Sequence, residues 1–448
     1  MLTSKYPMAS VRQLIAVAFP LMIATFSMHF MLLVDRIVVS HYSPDALASV
    51  TLAGNLCALV EIGAIIIASI SEIFVGQYNG SKQYDKIAAP VWQMVWFGAG
   101  LFVFTIPLGL YGGHIFIPEN FLEHGNPYYK WCMVFAPLNA IIAALSAFYI
   151  GRGKVKFTTI IVIFGNVINI LLDLVLVLGY KDIVPAFGPV GAAYGTIISI
   201  TIQTIILFCS FLSAKNIKKF QTNVYEFNKA LFLKCIRIGL PNSMAIVLEI
   251  LGWFAILLIT SHFKQDYISL HSMVQTILIF FIFFIDALSK GASVVASNMI
   301  GARKFGFLTK LLYSGFKINF IYLLVLSIPL FLYPNLIIDL FFRDSENYSP
   351  YFMDQAVLAL RFVWIFLLLD GIFWTGCGVL IAGGDTMFLT SINSVAIWIF
   401  SVLPIFILIK FYDVGPAILW LIISLYKIVG IIAFIIRYRS KRWLKLLL

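Results

Sequence analysis

The sequence predicts an all-α polytopic membrane protein with twelve transmembrane helices in two six-helix lobes. Of its 448 residues, 61% are apolar and only 11% are charged, whereas about a quarter of the residues in soluble domains carry a charge. Apolar windows long enough to span a bilayer recur twelve times, six on each side of the longest polar stretch. Lys and Arg residues concentrate in alternate loops, as in membrane proteins of fixed orientation.

The windows set the expected domain boundaries. The first six lie at about 14–39, 46–75, 87–111, 127–150, 157–180 and 191–213, and the last six at about 235–260, 267–297, 311–333, 355–382, 387–410 and 414–437. We therefore expect an amino-terminal lobe over residues 1–213, a cytoplasmic linker over 214–234, and a carboxyl-terminal lobe with a basic cytoplasmic tail over 235–448. The first window lacks the short apolar core and cleavage site of a signal peptide, which favours a retained helix.

The positions of the basic residues explain the net charge of +11. Twenty-one loop Lys and Arg residues fall on the side of the amino terminus and five on the other side, namely Lys130, Lys181, Lys264, Arg343 and Lys410. Because cytoplasmic loops carry the excess of basic residues, both termini are predicted to be cytoplasmic. The expected surroundings are the lipid bilayer of the plasma membrane, here a bacterial inner membrane, with no nucleic-acid partner and a monomeric chain.

The histidine and cysteine residues give no sign of an enzyme. The five cysteines are scattered without CxxC or Cys/His spacing, and the six histidines do not cluster in any window. We therefore expect no enzymatic activity, no cofactor and no catalytic residues.

An internal repeat relates the two halves. One constant shift along the chain, which we call the first shift, places Gly80-Ser81-Lys82 on Gly301-Ala302-Arg303. A slightly longer one, the second shift, places Gly153 on Gly384. Because each half has an even number of windows, the repeats are parallel and related by a pseudo-twofold axis along the membrane normal. Two such lobes with a linker are typical of a carrier that works by alternating access.

Seven acidic residues fall inside the windows, where an unpaired charge is costly. Each of them requires a partner, a proton, an ion or a water-filled cavity. The seven are Asp35, Glu61, Glu72, Asp173, Glu249, Asp286 and Asp370.

The fifth window carries a polar stripe of Asn166, Asn169 and Asp173, which share one helical face. Hydrogen bonding between helices would also explain Asn166, but Asn169 with Asp173 favours coordination of a cation. Because a helix rises by about 1.5 Å per residue, Asp35 in the first window lies at nearly the depth of Asp173. A shared site for Na+ or H+ at Asp35 and Asp173 is therefore predicted.

A second pair of acids, Glu249 and Asp370, lies near the middle of the seventh and tenth windows. Neither has a basic residue one turn away, so a salt bridge within its own helix cannot explain it. The pair predicts an alternative site for Na+ or H+. Trp374, one turn after Asp370, offers a ring face to organic cations.

Three further residues are expected to line a substrate cavity together with Trp374. These are Glu61, Asp286 and Asn139, of which the second shift places Asn139 on Asp370. Asp286 and Lys290 are spaced i, i+4, so an internal ion pair is an equal alternative for Asp286. Glu72 lies near the cytoplasmic end of its window, where it could simply be solvated.

The chain resembles the multidrug and toxin extrusion (MATE) transporters of the NorM and DinF type. The resemblance rests on the order and spacing of Val34-Asp35-Arg36, Gln77-Tyr78-Asn79-Gly80, the segment from Asn169 to Asp173, Gly239-Leu240-Pro241, and Ala382-Gly383-Gly384-Asp385-Thr386. It implies a MATE-like fold and antiport of cationic amphiphilic compounds out of the cytoplasm against Na+ or H+.

The resemblance also implies two groups of coupling residues. An amino-terminal site in related proteins is matched by Asp35, Asn169, Asp173 and Thr196, and the carboxyl-terminal site of NorM-type members is matched by Glu249 and Asp370. Because this sequence carries both sets, the coupling lobe and the ion both stay open.

The alternative function is that of a lipid-linked oligosaccharide flippase of the same wider superfamily. Such flippases favour a cavity rich in Arg and Lys for an anionic pyrophosphate. The intramembrane charges here are mostly acidic, which favours cationic substrates.

Overall fold

The computed structural model describes residues 6–181, 183–262, 265–341, 349–412 and 414–444. Within this part the chain is helical, and the β-type pairing is one isolated bridge between Tyr180 and Val184. Four of the cations used above to predict the orientation, Lys5, Lys264, Arg343 and Lys445, lie outside the described residues.

Twelve helical segments in the described part are long and apolar enough to cross a membrane, which confirms the predicted fold class. They are α1 (Val11–Tyr42), α2 (Pro44–Gly80), α3 (Tyr84–Phe116), α4 (Glu119–Ile150), α5 (Val155–Leu176), α6 (Pro189–Phe211), α7 (Lys229–Ser261), α8 (Gln265–Gly301), α9 (Phe307–Leu332), α10 (Pro350–Ile381), α11 (Thr386–Phe411) and α12 (Pro416–Arg439). Two short helices, Ala214–Phe220 and Asn335–Phe341, lie between them.

Local sequence explains where several of these helices begin and bend. The Ser10 hydroxyl accepts a hydrogen bond from the backbone N–H of Gln13 at the start of α1, and Ser43 does the same for Ala46 at the start of α2. The α-helical path of α4 is interrupted at Ala136, directly before Pro137, whose ring cannot donate a backbone hydrogen bond.

The first six and the last six helices each pack among themselves and meet along one seam. In the first set α1 packs on α5 and α5 on α6, whereas in the last set α10 packs on both α8 and α12. The seam joins α1 and α2 of the first set to α7 and α8 of the last set. The faces that meet here therefore come from the helices that begin each half of the chain.

The seam is tightest where α2 and α8 end. A Cβ added at Gly80 would overlap with the carbonyl oxygen of Asn298, and one added at Gly301 would overlap with that of Gln77. The first shift places Gly80 on Gly301 and Gln77 on Asn298. The two contacts are therefore copies of one contact, as a twofold axis requires.

The backbone also repeats at the predicted offsets. Lys82 and Arg303, which the first shift superimposes, both adopt the left-handed conformation, with φ of 64° and 57°. Gly153 and Gly384, which the second shift superimposes, do so with φ of 76° and 79°. A residue in the left-handed conformation thus follows the second and the fourth helix of each half.

Hydrogen bonds across the seam connect the two sets near the same end. Asn79 donates to Oδ1 of Asn298 at 2.7 Å, and Nε2 of Gln77 donates to the carbonyl of Ala382 at 2.8 Å. We call the end that carries loops 81–83 and 302–306 the closed end. The sequence predicts that this end faces the cytoplasm.

Candidate functional site

The amino-terminal site consists of Asp35 on α1, Asn169 and Asp173 on α5, and Thr196 on α6. The Asn169 amide nitrogen lies 3.4 Å from Oδ1 of Asp173 and 3.3 Å from Oγ1 of Thr196. With the amide turned over, its nitrogen donates to Oδ2 of Asp173 at 3.2 Å and its oxygen accepts from the backbone N–H of Thr196 at 3.1 Å. Either orientation places Asn169 between the carboxylate and Thr196.

Asp173 is completely buried because α5 and α6 approach each other closely beside it. A Cβ added at Gly195 on α6 would overlap with Oδ1 of Asp173. Only a glycine leaves room for the carboxylate at this point. The helix contact therefore fixes the position of Asp173 from the side of α6.

Asp35 supplies the second carboxylate of the amino-terminal site. It is 8% exposed, and its Oδ1 has no hydrogen-bond partner among the described residues. Asp35 and Asp173 repel each other electrostatically. Two buried acids with an unpaired oxygen favour the binding of a proton or of a hard cation, which removes both the repulsion and the desolvation cost.

Asn166, the third polar residue of α5, has a structural partner. Its amide donates to Oγ of Ser27 on α1 at 3.0 Å. Hydrogen bonding between helices, one of the two interpretations of the stripe, therefore accounts for Asn166.

Two of the predicted cavity residues lie in the first six helices. Glu61 on α2 is partly buried, and both Glu61 and Asp35 lie near the thiol of Cys132. Glu61 therefore lies on the same side of the bundle as the amino-terminal site. Asn139 is partly buried on α4, and its place in a cavity stays a prediction.

The carboxyl-terminal site, Glu249 on α7 and Asp370 on α10, already holds a cation. Nζ of Lys427 on α12 lies 2.8 Å from Oδ1 of Asp370 and 3.1 Å from Oε1 of Glu249. The partner that these two buried acids require is therefore, in this structure, a lysine of the protein itself. The sequence excludes a basic partner on the same helix, but the partner comes from a different helix that packs against α10.

Rings and one amide complete the surroundings of Lys427, which is 1% exposed. Asn393 Oδ1 lies 3.5 Å from Nζ, and the Tyr426 hydroxyl donates to Oε1 of Glu249 at 3.0 Å. Four ring centroids surround Nζ, those of Tyr426 at 4.6 Å, Phe373 at 5.3 Å, Trp374 at 5.5 Å and Phe366 at 5.7 Å. We call these four aromatic residues, with Glu249, Asp370 and Asn393, the ammonium cage. Trp374, predicted to face organic cations, thus faces a cation of the protein itself.

The spacing of Asp286 and Lys290 permits an ion pair that does not form. Lys290 instead places Nζ 3.8 Å from Oε2 of Glu72, across the seam. Asp286 is exposed and interacts electrostatically with Asp370 and Glu249 of the carboxyl-terminal site. The cavity interpretation of Asp286 therefore fits better than the internal ion pair.

Glu72 departs from its predicted surroundings. Solvation at the end of its window, the interpretation offered above, does not hold, because Glu72 is 5% exposed where the end of α2 packs against α8. Within the part of the chain that the structure describes, no three His, Cys, Asp or Glu side chains meet as a metal-binding group. A cation at the amino-terminal site would therefore depend on amide and hydroxyl oxygens in addition to carboxylates.

Comparisons with known proteins agree with the fold. The MatE family model matches residues 20–175 and 241–407. The chain is 26% identical over 367 residues to the "Probable multidrug resistance protein YoeA" of Bacillus subtilis, covering 79% of this chain and 77% of that protein. It is 25% identical over 305 residues to the "Probable multidrug resistance protein NorM" of the same organism, covering 66% and 67%.

Solved structures show the same architecture at lower identity. One, described as an outward-facing conformation of a multidrug resistance MATE family transporter of the MOP superfamily, has a TM-score of 0.83 at 19% identity, covering 96% of this chain and 95% of that one. A MOP superfamily transporter from Pyrococcus furiosus has a TM-score of 0.81 at 18% identity, covering 97% of both chains. At this level of identity the likeness concerns the fold alone.

Proposed function

Because the chain belongs to the MatE family, we propose that it is a secondary active antiporter that exports cationic amphiphilic organic compounds in exchange for Na+ or H+. It acts as a transporter without enzymatic activity, as a monomer in the plasma membrane, here a bacterial inner membrane. Both termini are cytoplasmic, and the protein works by alternating access.

The observation that carries this proposal is the unpaired buried carboxylate of Asp35 beside the buried Asp173. Among the described residues neither acid forms an ion pair, whereas both acids of the carboxyl-terminal site contact the ammonium of Lys427. A coupling ion neutralises the most negative charge at a site where no lysine or arginine of the protein already does so. We therefore assign the coupling site to Asp35, Asn169, Asp173 and Thr196.

The oxygen atoms of the amino-terminal site suit either ion. Carboxylate, amide and hydroxyl oxygens are the ligands that hard cations such as Na+ take, and a buried carboxylate readily gains a proton. Asn169 holds Asp173 in place from its own helix, and Thr196 holds Asn169 from α6. Asp35, on α1, is then the acid that a movement of α1 against α5 brings closer or withdraws.

The closed end supports a mechanism of alternating access. The hydrogen bonds between the two sets of helices connect the ends of α2 and α8, near loops 81–83 and 302–306. If that end is cytoplasmic, the structure is the outward-facing state. Binding of the coupling ion and binding of the exported compound favour different arrangements of the two sets, so that inward movement of one drives outward movement of the other.

The charges of the bundle favour cationic cargo. Glu61 and Asp286 add two acids to the two sites, against the buried ammonium of Lys427. A carrier of an anionic lipid pyrophosphate would instead need basic groups around its cargo. The flippase alternative is therefore not favoured, and the names of the bacterial relatives agree with drug export.

The proposal is tested by dye efflux from proteoliposomes that contain the purified protein. A Na+ gradient and a pH gradient are imposed separately, and loss of a cationic dye such as ethidium is followed by fluorescence. At least one gradient should drive movement of the dye against its concentration gradient. Failure of both gradients with several cationic dyes would contradict the proposal.

A further inference from the structure

The surroundings of Lys427 suit a primary ammonium group, which has three N–H donors. Nζ donates hydrogen bonds to Oε1 of Glu249 at 3.1 Å and to Oδ1 of Asn393 at 3.5 Å. It also forms an ion pair with Oδ1 of Asp370 at 2.8 Å, outside hydrogen-bond geometry. The oxygens come from α10, α7 and α11, so three separate helices converge on one nitrogen.

The remaining surroundings favour an organic cation over a metal ion. Aromatic rings face Nζ from four residues of the ammonium cage, with centroids between 4.6 and 5.7 Å away. Hard metal ions prefer oxygen ligands on every side, whereas ammonium groups are stabilised by ring faces in a dry site. The cage is therefore better built for an amine than for Na+.

A narrow crevice between α7, α10 and α11, too tight for a water molecule, lies beside the cage. Glu249, with its side chain 12% exposed, lines this crevice together with Trp374 and Asn393. Lys427 itself is fully buried behind them. An amine reaches the Glu249 oxygen that Lys427 contacts only when the side chains lining this crevice move apart.

We propose that the ammonium cage is a substrate subsite for primary ammonium groups, and that Lys427 is its built-in competing ligand. The inference rests on the proposed export of organic cations and names a class of substrate for it. An incoming amine replaces the Lys427 ammonium at Glu249, and the displaced lysine keeps its contact with Asp370 and its attraction to Asp286. A substrate must therefore bind Glu249 more strongly than the Lys427 ammonium does.

The test compares two probes of one shape. Phenethylammonium carries three N–H donors, and its N,N,N-trimethyl derivative carries the same charge with none. Binding of each to the purified full-length protein is measured by titration calorimetry and by Trp fluorescence. Lys427→Met should bind phenethylammonium about tenfold or more tightly than the unmodified protein, because the site no longer has to be vacated first.

Three controls keep the result specific. The trimethyl probe should gain much less from Lys427→Met, and Lys427→Arg should keep the weak binding of both probes. Lys290→Met removes a partly exposed lysine that pairs with Glu72 outside the cage and should change neither affinity. If Lys427→Met does not fold, the pair Lys427→Met with Asp370→Asn removes one charge of each sign and should still gain affinity, by less than the single variant because the Asp370 charge is lost from the cage.

Two outcomes separate this inference from the proposed function. If the unmodified protein exports cationic dyes but a folded Lys427 variant binds phenethylammonium no more tightly, Lys427 is a structural counter-ion and the inference is wrong. If the variant gains affinity but neither gradient drives export of any dye, the proposed function is wrong and the cage is an amine site of another kind.

Discussion

Nζ of Lys427 lies 2.8 Å from Oδ1 of Asp370, and both side chains are buried between α10 and α12. This ion pair divides the intramembrane acids into two kinds. Glu249 and Asp370 carry their own cation, whereas Asp35 and Asp173 have none among the described residues. Ion coupling and substrate recognition therefore belong to different halves of the bundle in our account.

Gly195→Ala should disturb the amino-terminal site without removing any of its polar groups. Its new Cβ would overlap with Oδ1 of Asp173, so the carboxylate must move away from Asn169. We expect gradient-driven dye efflux to fall about tenfold or more and the melting temperature to drop, since overpacking costs about 1–3 kcal/mol. Gly100→Ala, with nothing within 4 Å of the new Cβ, is the matched control. Equal efflux from the two variants would contradict the assigned geometry.

Gly301→Ala should weaken the closed end. The added methyl group would overlap with the carbonyl of Gln77 on α2, so α2 and α8 must separate. We expect faster labelling of Cys residues introduced near loops 81–83 by an impermeant thiol reagent, and slower efflux. Gly306→Ala, a nearby glycine in open space, should leave both rates unchanged. Unchanged labelling in Gly301→Ala would show that this contact does not keep the end closed.

The ion pair between Glu72 and Lys290 should contribute little to stability. Its atoms are 3.8 Å apart and Lys290 is 44% exposed in the bundle, so the contact is loose and ordering the long lysine side chain offsets much of the attraction. A double-mutant cycle with Glu72→Gln and Lys290→Met should give a coupling energy below about 1 kcal/mol. The measurement is the melting temperature of the four proteins in detergent. A clearly larger coupling energy would mean that the pair holds the seam together.

Arg152 should hold the linker helix Ala214–Phe220 against the rest of the bundle. Its guanidinium lies between the rings of Phe148, at 3.6 Å, and Phe220, at 4.3 Å. Burial lowers the pKa of Arg152 to about 10, so the group stays protonated near neutral pH and its effect should not change with pH there. Arg152→Lys should lose about 1–2 kcal/mol of stacking and speed trypsin cleavage after residues 215–219.

The control for Arg152 is Lys154→Met. Lys154 lies in the same loop and is exposed. The partial loss of solvent around its ammonium and the charge of Arg152 lower its pKa. Its removal should leave cleavage of the linker unchanged. Equal cleavage of Arg152→Lys and the unmodified protein would show that the linker is held by other contacts.

Local patterns were sufficient to predict the fold and to place Asn169 and Asp173 on one helical face, whereas Thr196 was added by the family resemblance. The apolar windows fix the helices, and Asn169 and Asp173 share a face because both lie on one helix, one turn apart. Lys427 could not be placed in this way. Its partners Asp370 and Glu249 lie far from it along the chain, on other helices, and no periodicity along one helix reports on contacts between helices.

The same limit explains why the contact between Glu72 on α2 and Lys290 on α8 could not be predicted. The i, i+4 spacing of Asp286 and Lys290 is compatible with an ion pair, but Lys290 finds Glu72 across the seam instead. A signal was present in the repeat itself. The glycines at positions 80 and 301 mark where α2 and α8 approach each other, and Glu72 and Lys290 lie on the same two helices, about two and three turns before that contact.

The most direct test of our account compares Asp173→Asn with the unmodified protein in proteoliposomes under imposed Na+ and pH gradients. We predict that the unmodified protein exports a cationic dye under at least one gradient. Asp173→Asn should bind the dye with similar affinity but export it under neither gradient, because the buried acid that takes up the coupling ion is gone. Export by Asp173→Asn at the rate of the unmodified protein would contradict the assignment of ion coupling to the amino-terminal site.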